Sequence, residues 1–128
     1  MADKLRKSKG ERTMSQGFIA QYAAEAALRV EGVASLEKSF VANLKESFGV
    51  IHEGQGVEVI FDEDKHDAVA ITVYPLIYYS YDIPEVAWHI QKNVRNDVEE
   101  YTGLDVNQVN VYVKDIIPLE KKEDKEDA

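Results

Sequence analysis

The chain has 128 residues, enough for one domain of ordinary size with its own core, and its 45% hydrophobic and 30% charged composition is typical of a soluble globular protein. It contains no cysteine, which excludes a disulfide framework, a thiolate zinc site and a cysteine nucleophile. The net charge is −9. An acidic body repels phosphate backbones and anionic lipid headgroups, so direct nucleic-acid binding is disfavoured.

Charge and apolar periodicity divide the chain into three parts. Residues 1–12 carry five basic and two acidic side chains without apolar periodicity, which predicts a disordered basic arm. Residues 13–118 are predicted to form a single α+β domain, and residues 119–128 a disordered charged tail. No apolar run has the length of a membrane span and no secretory signal is expected, so we predict no direct membrane insertion.

A first helix is predicted to begin after Thr13 or Ser15, either of which can cap it, and to run to about Glu31. Gly32 follows as the stop. Five alanines between positions 20 and 27 give high helix propensity and a smooth surface that another element can approach closely. The predicted buried face comprises Ile19, Tyr22, Ala23, Ala26 and Val30.

Three short segments follow the first helix. Residues 33–36 are assigned to a strand, residues 39–48 to a short helix, and residues 52–56, which contain two glycines, to a loop.

The centre of the chain predicts an antiparallel hairpin. Val57, Val59 and Phe61 alternate with Glu58, Ile60 and Asp62, which indicates a strand. Residues 62–67 are predicted to form a polar turn, and residues 68–79 a longer strand. Pro75 marks a bulge or an edge position, because proline cannot donate to a ladder.

A second helix has clear start and stop signals. Asp82, or the backbone beside it, opens it, Pro84 suits the first turn, and Gly103 is the stop. Its apolar stripe comprises Ile83, Val86, Ala87, Ile90, Val94, Val98 and Tyr101. Alternating valines from Val106 to Val113 predict a last strand.

These elements predict an α+β fold of two layers, with the two main helices on one face of a three- or four-stranded mixed β-sheet. The second helix serves as the crossover between the long strand and the last one. A right-handed crossover makes those two strands parallel if they are neighbours.

No catalytic, cofactor or metal site is predicted. His66 lies among aspartates, but a calcium loop starting at Asp62 has Asp67 where glycine is required and Val73 where glutamate is required. His52 and His89 are expected to be solvated. There is no phosphate-binding glycine loop and no nucleophile elbow.

The second helix carries two residues that do not fit its pattern. Trp88 falls nearly opposite the apolar stripe, beside Lys92 and Arg95, so it either contacts a partner, packs beneath a loop, or stacks with one of those cations. Asp97 falls inside the stripe, so either its carboxylate is hydrogen-bonded or the stripe is narrower there. The candidate partner contacts are Trp88, Lys92, Arg95, Tyr78 and Tyr79, the two tyrosines at a strand edge that another chain could pair with.

Several short segments together are similar to one family. They are "VEGV" at residues 30–33, "GVEV" at 56–59, "IPEVA" at 83–87, "YTGL" at 101–104 and "VNVYV" at 109–113. In order and spacing the chain resembles the alkaline shock protein (general stress protein) family, envelope stress response proteins of Gram-positive bacteria.

The resemblance implies a cytoplasmic protein without known catalytic chemistry. Some members look like proteins held beside the membrane by a membrane-anchored partner, tied to envelope stress and alkaline tolerance and able to self-assemble. Other members are associated with a dihydroxyacetone-kinase-like or fatty-acid kinase protein. The expected function is therefore a non-catalytic stress-response role through self-association and partner binding. The alternatives are a regulatory module for such a kinase and a small ligand binder or enzyme with an acidic cleft.

Overall fold

The computed structural model describes residues 14–37, 56–65 and 67–118. These residues form two α-helices and six β-strands. In chain order they are α1 (Gln16–Leu28), β1 (Val33–Leu36), β2 (Val57–Phe61), β3 (Ala68–Val73), β4 (Pro75–Tyr78), α2 (Ile83–Thr102), β5 (Asp105–Val111) and β6 (Asp115–Ile117). The predicted arm, tail and helix at residues 39–48 lie outside the described residues, as do His52 and His66.

Helix α1 begins at the predicted cap and ends earlier than predicted. The Ser15 hydroxyl accepts a hydrogen bond from the Phe18 amide at 3.1 Å. The helix ends at Leu28, and the chain then turns through Gly32, whose φ of 101° lies in the left-handed region. Gly32 therefore belongs to the turn into β1 rather than to the helix terminus. The buried face consists of Ile19, Ala20, Ala23, Ala24, Ala26 and Ala27, so small side chains let α1 approach α2 closely.

Helix α2 begins and ends as predicted, but Ile83 and Tyr101, which were assigned to its buried stripe, are exposed at the two ends of the helix. Asp82 is the N-cap residue without a side-chain cap bond, proline stands in the first turn, and Gly103 follows the helix with a φ of 77°. The buried residues of the helix are Val86, Ile90, Val94, Val98 and Thr102. At the C-terminal end of α2, the Thr102 hydroxyl donates to the Val98 carbonyl and accepts from the Leu104 amide, so it forms hydrogen bonds with two backbone groups there. Among the described residues, no helix has the length and apolar character needed to cross a bilayer.

The fold class is α+β, as predicted, but the strands form two three-stranded sheets instead of one sheet of three or four. Their orders are β1-β4-β6 and β2-β3-β5. The predicted long strand is interrupted at Tyr74, and β6 was not predicted. Pro75 is the first residue of β4, a position where its missing N–H disrupts no ladder.

Both sheets combine antiparallel and parallel pairs. β2 and β3 form the predicted hairpin, with Val59 opposite Ile71. Across the α2 crossover β3 pairs with β5, and β4 with β6, in parallel. The core joins the buried faces of both helices to the inward residues of the strands, among them Val57, Ile71 and Ile77. Both helices pack on each other and against this core.

Candidate interaction surface

Trp88 is exposed on α2, on the side away from the core. Its side chain is 53% exposed. The Lys92 Nζ lies 4.9 Å from the centre of the indole ring, and the His89 ring stands edge-on to it at 5.0 Å. Lys92 is therefore the cation that Trp88 stacks with, and Trp88 remains about half exposed with this contact in place.

Arg95, placed beside Trp88 from the sequence, has a different role. Its guanidinium donates to the Val106 carbonyl at 3.4 Å and to the Asn107 carbonyl at 3.5 Å, both in β5. Since β5 is an edge strand, its outer backbone groups need partners other than a strand. The Arg95 side chain is such a partner, and these hydrogen bonds hold it against β5, where it is partly buried.

Gln91 and Glu99, one turn before and one turn after Arg95, also serve the β5 edge. Gln91 donates to the Val109 carbonyl at 3.1 Å, and the Glu99 carboxylate accepts from the Val106 amide at 3.0 Å. On the opposite edge of the same sheet, Gln16 of α1 donates to the Val59 carbonyl of β2 at 3.1 Å. Helix side chains thus occupy backbone groups at both edges of the β2-β3-β5 sheet.

The two tyrosines lie at the end of β4, which is the middle strand of its sheet, so they are not at the open strand edge that the sequence predicted. Tyr79 is 65% exposed, and its amide donates to the Ile117 carbonyl at 2.8 Å, which holds β6 beside β4. Tyr78 is half-buried within β4. Tyr79 thus presents its ring to solvent from a fixed backbone.

Asp97 lies against α1. Its carboxylate accepts from the Arg29 guanidinium at 2.5 Å, and its side chain is 19% exposed. That hydrogen bond, together with the charge of Asp97, raises the pKa of Arg29 above its usual value. Of the two alternatives for Asp97, a hydrogen-bonded carboxylate or a narrower stripe, the structure therefore shows the first, because Asp97 forms an ion pair with Arg29 at the end of α1.

A pocket of about 470 Å³ lies between the end of α1 and the start of α2. Its polar lining includes Arg29, Glu31, Tyr81, Asp82, Glu85 and His89. We call it the acidic pocket. Trp88 does not line the pocket, but it adjoins it through His89, which lines the pocket and whose ring contacts the indole.

The wall of the acidic pocket is closely packed. A Cβ at Gly32 would lie 2.8 Å from the Tyr81 ring, so the ring rests directly on the glycine. The Tyr81 hydroxyl reaches Glu31 at 3.5 Å. Ser80, just before it, has a φ of 86°, which a non-glycine residue seldom adopts. The backbone therefore holds Tyr81 in place from both sides.

The polar turn at Asp62 is a structural feature. The Asp62 carboxylate accepts the amides of Asp64 and Lys65, at 2.7 and 3.1 Å, and the Asn107 side chain at 2.9 Å. These hydrogen bonds, the one from Asp64 first, hold the pKa of Asp62 below its usual value. Within the described ranges no group of three or more histidine, aspartate or glutamate residues could hold a metal ion.

Sequence reasoning missed a row of aromatic rings across the two helices. Phe18 stands edge-on to Tyr22 at 5.5 Å, and Tyr22 stacks on Tyr101 of α2 at 5.4 Å. Phe18 and Tyr101 are both about half exposed. The four-residue spacing of Phe18 and Tyr22 was the available signal, but Tyr101 had been assigned to the buried stripe.

Fold and surface together define a small α+β protein. The chain belongs to the alkaline shock protein 23 family, which has a cell envelope-related function: the family model matches residues 4–118.

Two relatives come from Bacillus subtilis (strain 168). The chain is 33% identical over 88 residues to the uncharacterized protein YqhY; the match covers 69% of this chain and 63%, less than two thirds, of that protein. It is 28% identical to the uncharacterized protein YloU over 118 residues, which cover 91% of this chain and 96% of that protein.

Among solved structures, the zinc form of a MamM C-terminal domain variant is similar to the chain with a TM-score of 0.44 and 14% identity. The match covers 76% of this chain and 81% of that domain. A similarity at that level carries no functional argument.

Proposed function

We propose that this protein is a non-catalytic component of the envelope stress response that acts through self-association and through a protein partner near the membrane. The family membership supports the envelope role. The observation that carries the interaction role is Trp88, whose ring is exposed on a helix that is anchored on its other side by fully buried valines and Ile90.

An exposed tryptophan on a rigid helix suits an interface. Tryptophan is enriched among the few residues that supply most of the binding energy at protein interfaces. The contact with Lys92 contributes only about 0.5–1 kcal/mol at an exposed site. Trp88 is still 53% exposed, and this exposed surface is available for burial against a partner.

The proposed link to the membrane is indirect. The chain has a net charge of −9, with its excess of basic residues confined to residues 1–12, so the folded part would be repelled by anionic headgroups. A membrane-anchored protein partner would hold it there without lipid contact. A kinase-type partner is the competing proposal, with the acidic surface docking on a basic one.

The test is a cross-linking pull-down from cells with the wild type and Trp88→Ala. Loss of a hot-spot tryptophan costs about 2 kcal/mol or more, which weakens binding roughly 30-fold, so the partner should be largely lost. Tyr112→Ala, which removes another exposed aromatic ring, is the matched control and should retain it. The identity of the captured protein separates a membrane-anchored partner from a kinase-type one.

Fold integrity must be checked beside capture. Trp88→Ala should change the free energy of unfolding by no more than about 1 kcal/mol, since Trp88 is exposed and its contacts with Lys92 and His89 are weak surface contacts. A large loss of stability would make Trp88 a packing residue. Undiminished capture by a folded Trp88→Ala variant would argue equally strongly against the proposal.

A further inference from the structure

We infer that the acidic pocket and Trp88 form one docking surface, which receives an arginine side chain of the protein partner. The inference rests on the proposed function and adds the chemistry of the contact. The exposed indole gives the apolar part of the surface, and the pocket beside it gives the charge that selects the occupant.

Charge is the first argument. Three carboxylates line the pocket, those of Glu31, Asp82 and Glu85. Within the described part of the chain, no lysine or arginine forms an ion pair with any of them. The arginine in the lining, Arg29, is paired with Asp97 instead. The pocket therefore has an excess of negative charge that its own residues do not neutralise, and a cationic group complements it.

The contacts within the pocket do not remove this excess. His89 lies 3.8 Å from the Glu85 carboxylate, and its side chain is about half exposed. The Tyr81 hydroxyl is neutral and reaches Glu31 at 3.5 Å. Asp82 is the helix N-cap without a side-chain cap bond, so its carboxylate is available to a ligand.

Arginine fits this surface better than lysine. Its planar guanidinium has five donors and can bond two carboxylates at once, whereas an ammonium acts as a compact point charge. It also stacks on aromatic faces, and the surface offers the indole of Trp88 and the ring of Tyr81. A volume of about 470 Å³ falls within the usual range of ligand pockets and leaves room for one long side chain with its adjoining backbone.

The surface is also preorganised. Tyr81 is held between Gly32 and the turn at Ser80, and Arg29 is fixed to Asp97. A partner would therefore meet a formed pocket and lose little affinity to ordering it.

The test uses two probes on the full chain, N-acetyl-arginine methylamide and its uncharged isostere N-acetyl-citrulline methylamide. Amide and indole NMR shifts are followed up to millimolar concentrations. The arginine probe should shift the Trp88 indole and the backbone of residues 81–89 with saturation, and the citrulline probe should bind at least tenfold more weakly. Equal effects of the two probes would overturn the inference, as would tighter binding of spermidine, which would indicate a site for free polyamines.

Two triple variants separate the pocket from overall charge. Glu31→Gln, Asp82→Asn and Glu85→Gln together should weaken the arginine probe at least tenfold, and the Asn at position 82 still suits a helix N-cap. Glu63→Gln, Asp64→Asn and Glu100→Gln remove the same charge from exposed sites elsewhere and should leave binding unchanged. Equal weakening by both triples would refute a local site. Thermal unfolding of both establishes that each is folded.

Partner capture decides whether the occupant belongs to a protein. The pocket triple should lose the partner that the wild type captures, and the control triple should keep it. If the pocket triple still captures a partner in a Trp88-dependent manner, the pocket inference fails while the proposed function stands. If arginine binds as expected but no partner is captured by the wild type, the proposed function fails and the pocket does not dock a partner.

Discussion

Gly32 supports the wall of the acidic pocket, because the ring of Tyr81, which lines the pocket, packs against it. Its φ of 101° turns the chain from α1 into β1, and its missing side chain leaves the space that the Tyr81 ring occupies. The Gly32 carbonyl also accepts the Tyr78 amide at 2.9 Å, which ties the turn to β4. One position thus serves the turn, the strand pairing and the pocket wall.

We predict that Gly32→Ala lowers the free energy of unfolding by about 1–3 kcal/mol. The added Cβ would lie 2.8 Å from the Tyr81 ring, and alanine is strained at this φ. Urea denaturation should show a lower midpoint with an unchanged m-value. Gly17→Ala, within α1, is the control and should be neutral or stabilising by up to about 1 kcal/mol. An unchanged midpoint for Gly32→Ala would contradict the close packing of Tyr81.

At the residue scale, the sequence predicted which helix side chains are exposed better than it predicted which residues they contact. A helical wheel correctly placed Trp88 opposite the buried stripe. It could not tell that Arg95 bonds β5, because that contact depends on where the crossover places the strand. The burial of Glu58, 2% exposed within a strand expected to alternate, was equally inaccessible, since the pattern alone does not show what covers each face.

Helix α2 performs two structural tasks at the scale of an element. Its apolar stripe packs on the core, and a polar row at four-residue spacing, formed by Gln91, Arg95 and Glu99, bonds the backbone of β5. An edge strand with unoccupied backbone groups can pair with another chain. The polar row therefore limits strand pairing at β5.

We predict that Glu99→Ala exposes the Val106 amide, which the carboxylate accepts at 3.0 Å. A hydrogen bond to a charged group contributes about 1.5–3 kcal/mol, so local opening should become more frequent and hydrogen exchange at Val106 roughly tenfold faster or more. Glu100→Ala removes an exposed acid one position away and should not change the rate. Equal exchange in both variants and the wild type would show that Glu99 does not protect this edge.

Asp62, in the turn between β2 and β3, makes a pH-dependent contribution to the stability of the fold. The pKa of Asp62 lies below its usual value of 3.8 because backbone amides donate to its carboxylate. A lowered native pKa stabilises the fold above the unfolded-state pKa, and this contribution is lost as the pH falls through the native value. The wild type should therefore exceed Asp62→Ala in stability at pH 7, and the difference should shrink below about pH 4. A stability difference that does not depend on pH would contradict this prediction. Asp64→Ala is the control, because it keeps the backbone amide that donates to Asp62 and should not produce the same pH dependence.

The ends and breaks of elements were predicted less well than their cores. The ends of α2 and the middle of its stripe, from Val86 to Val98, agree with the structure because local signals fix them, whereas Ile83 and Tyr101 at the ends of the predicted stripe are exposed. Helix α1 was predicted to continue to Glu31, since Gly32 was read as a helix stop. The long strand was predicted without its interruption at Tyr74. Strand β6 was missed because it is defined by its pairing with β4, a tertiary contact that a three-residue segment does not reveal.

At the scale of the whole molecule, the acidic pocket results from the topology. The lining residues come from two segments about 50 positions apart, 29–31 and 81–93, which meet because β1 pairs with β4. No local pattern connects them, and the sequence therefore suggested an acidic cleft without naming its members. The overall charge was accessible from the sequence and constrains how copies of the chain can meet.

Salt should act in opposite directions on the two proposed associations. Two copies, each with a net charge of −9, repel one another, whereas a partner with an arginine docked in the acidic pocket is attracted. The Debye length falls from about 10 Å at 0.1 M to about 3 Å at 1 M salt, so screening weakens both effects. We predict that self-association measured by sedimentation equilibrium strengthens between about 0.05 and 0.5 M salt, because the Debye length shortens over this range, while partner capture weakens. Self-association that weakens with salt would mean that basic and acidic surfaces of two copies meet, and partner capture that strengthens with salt would mean that apolar burial at Trp88 outweighs the charge of the pocket.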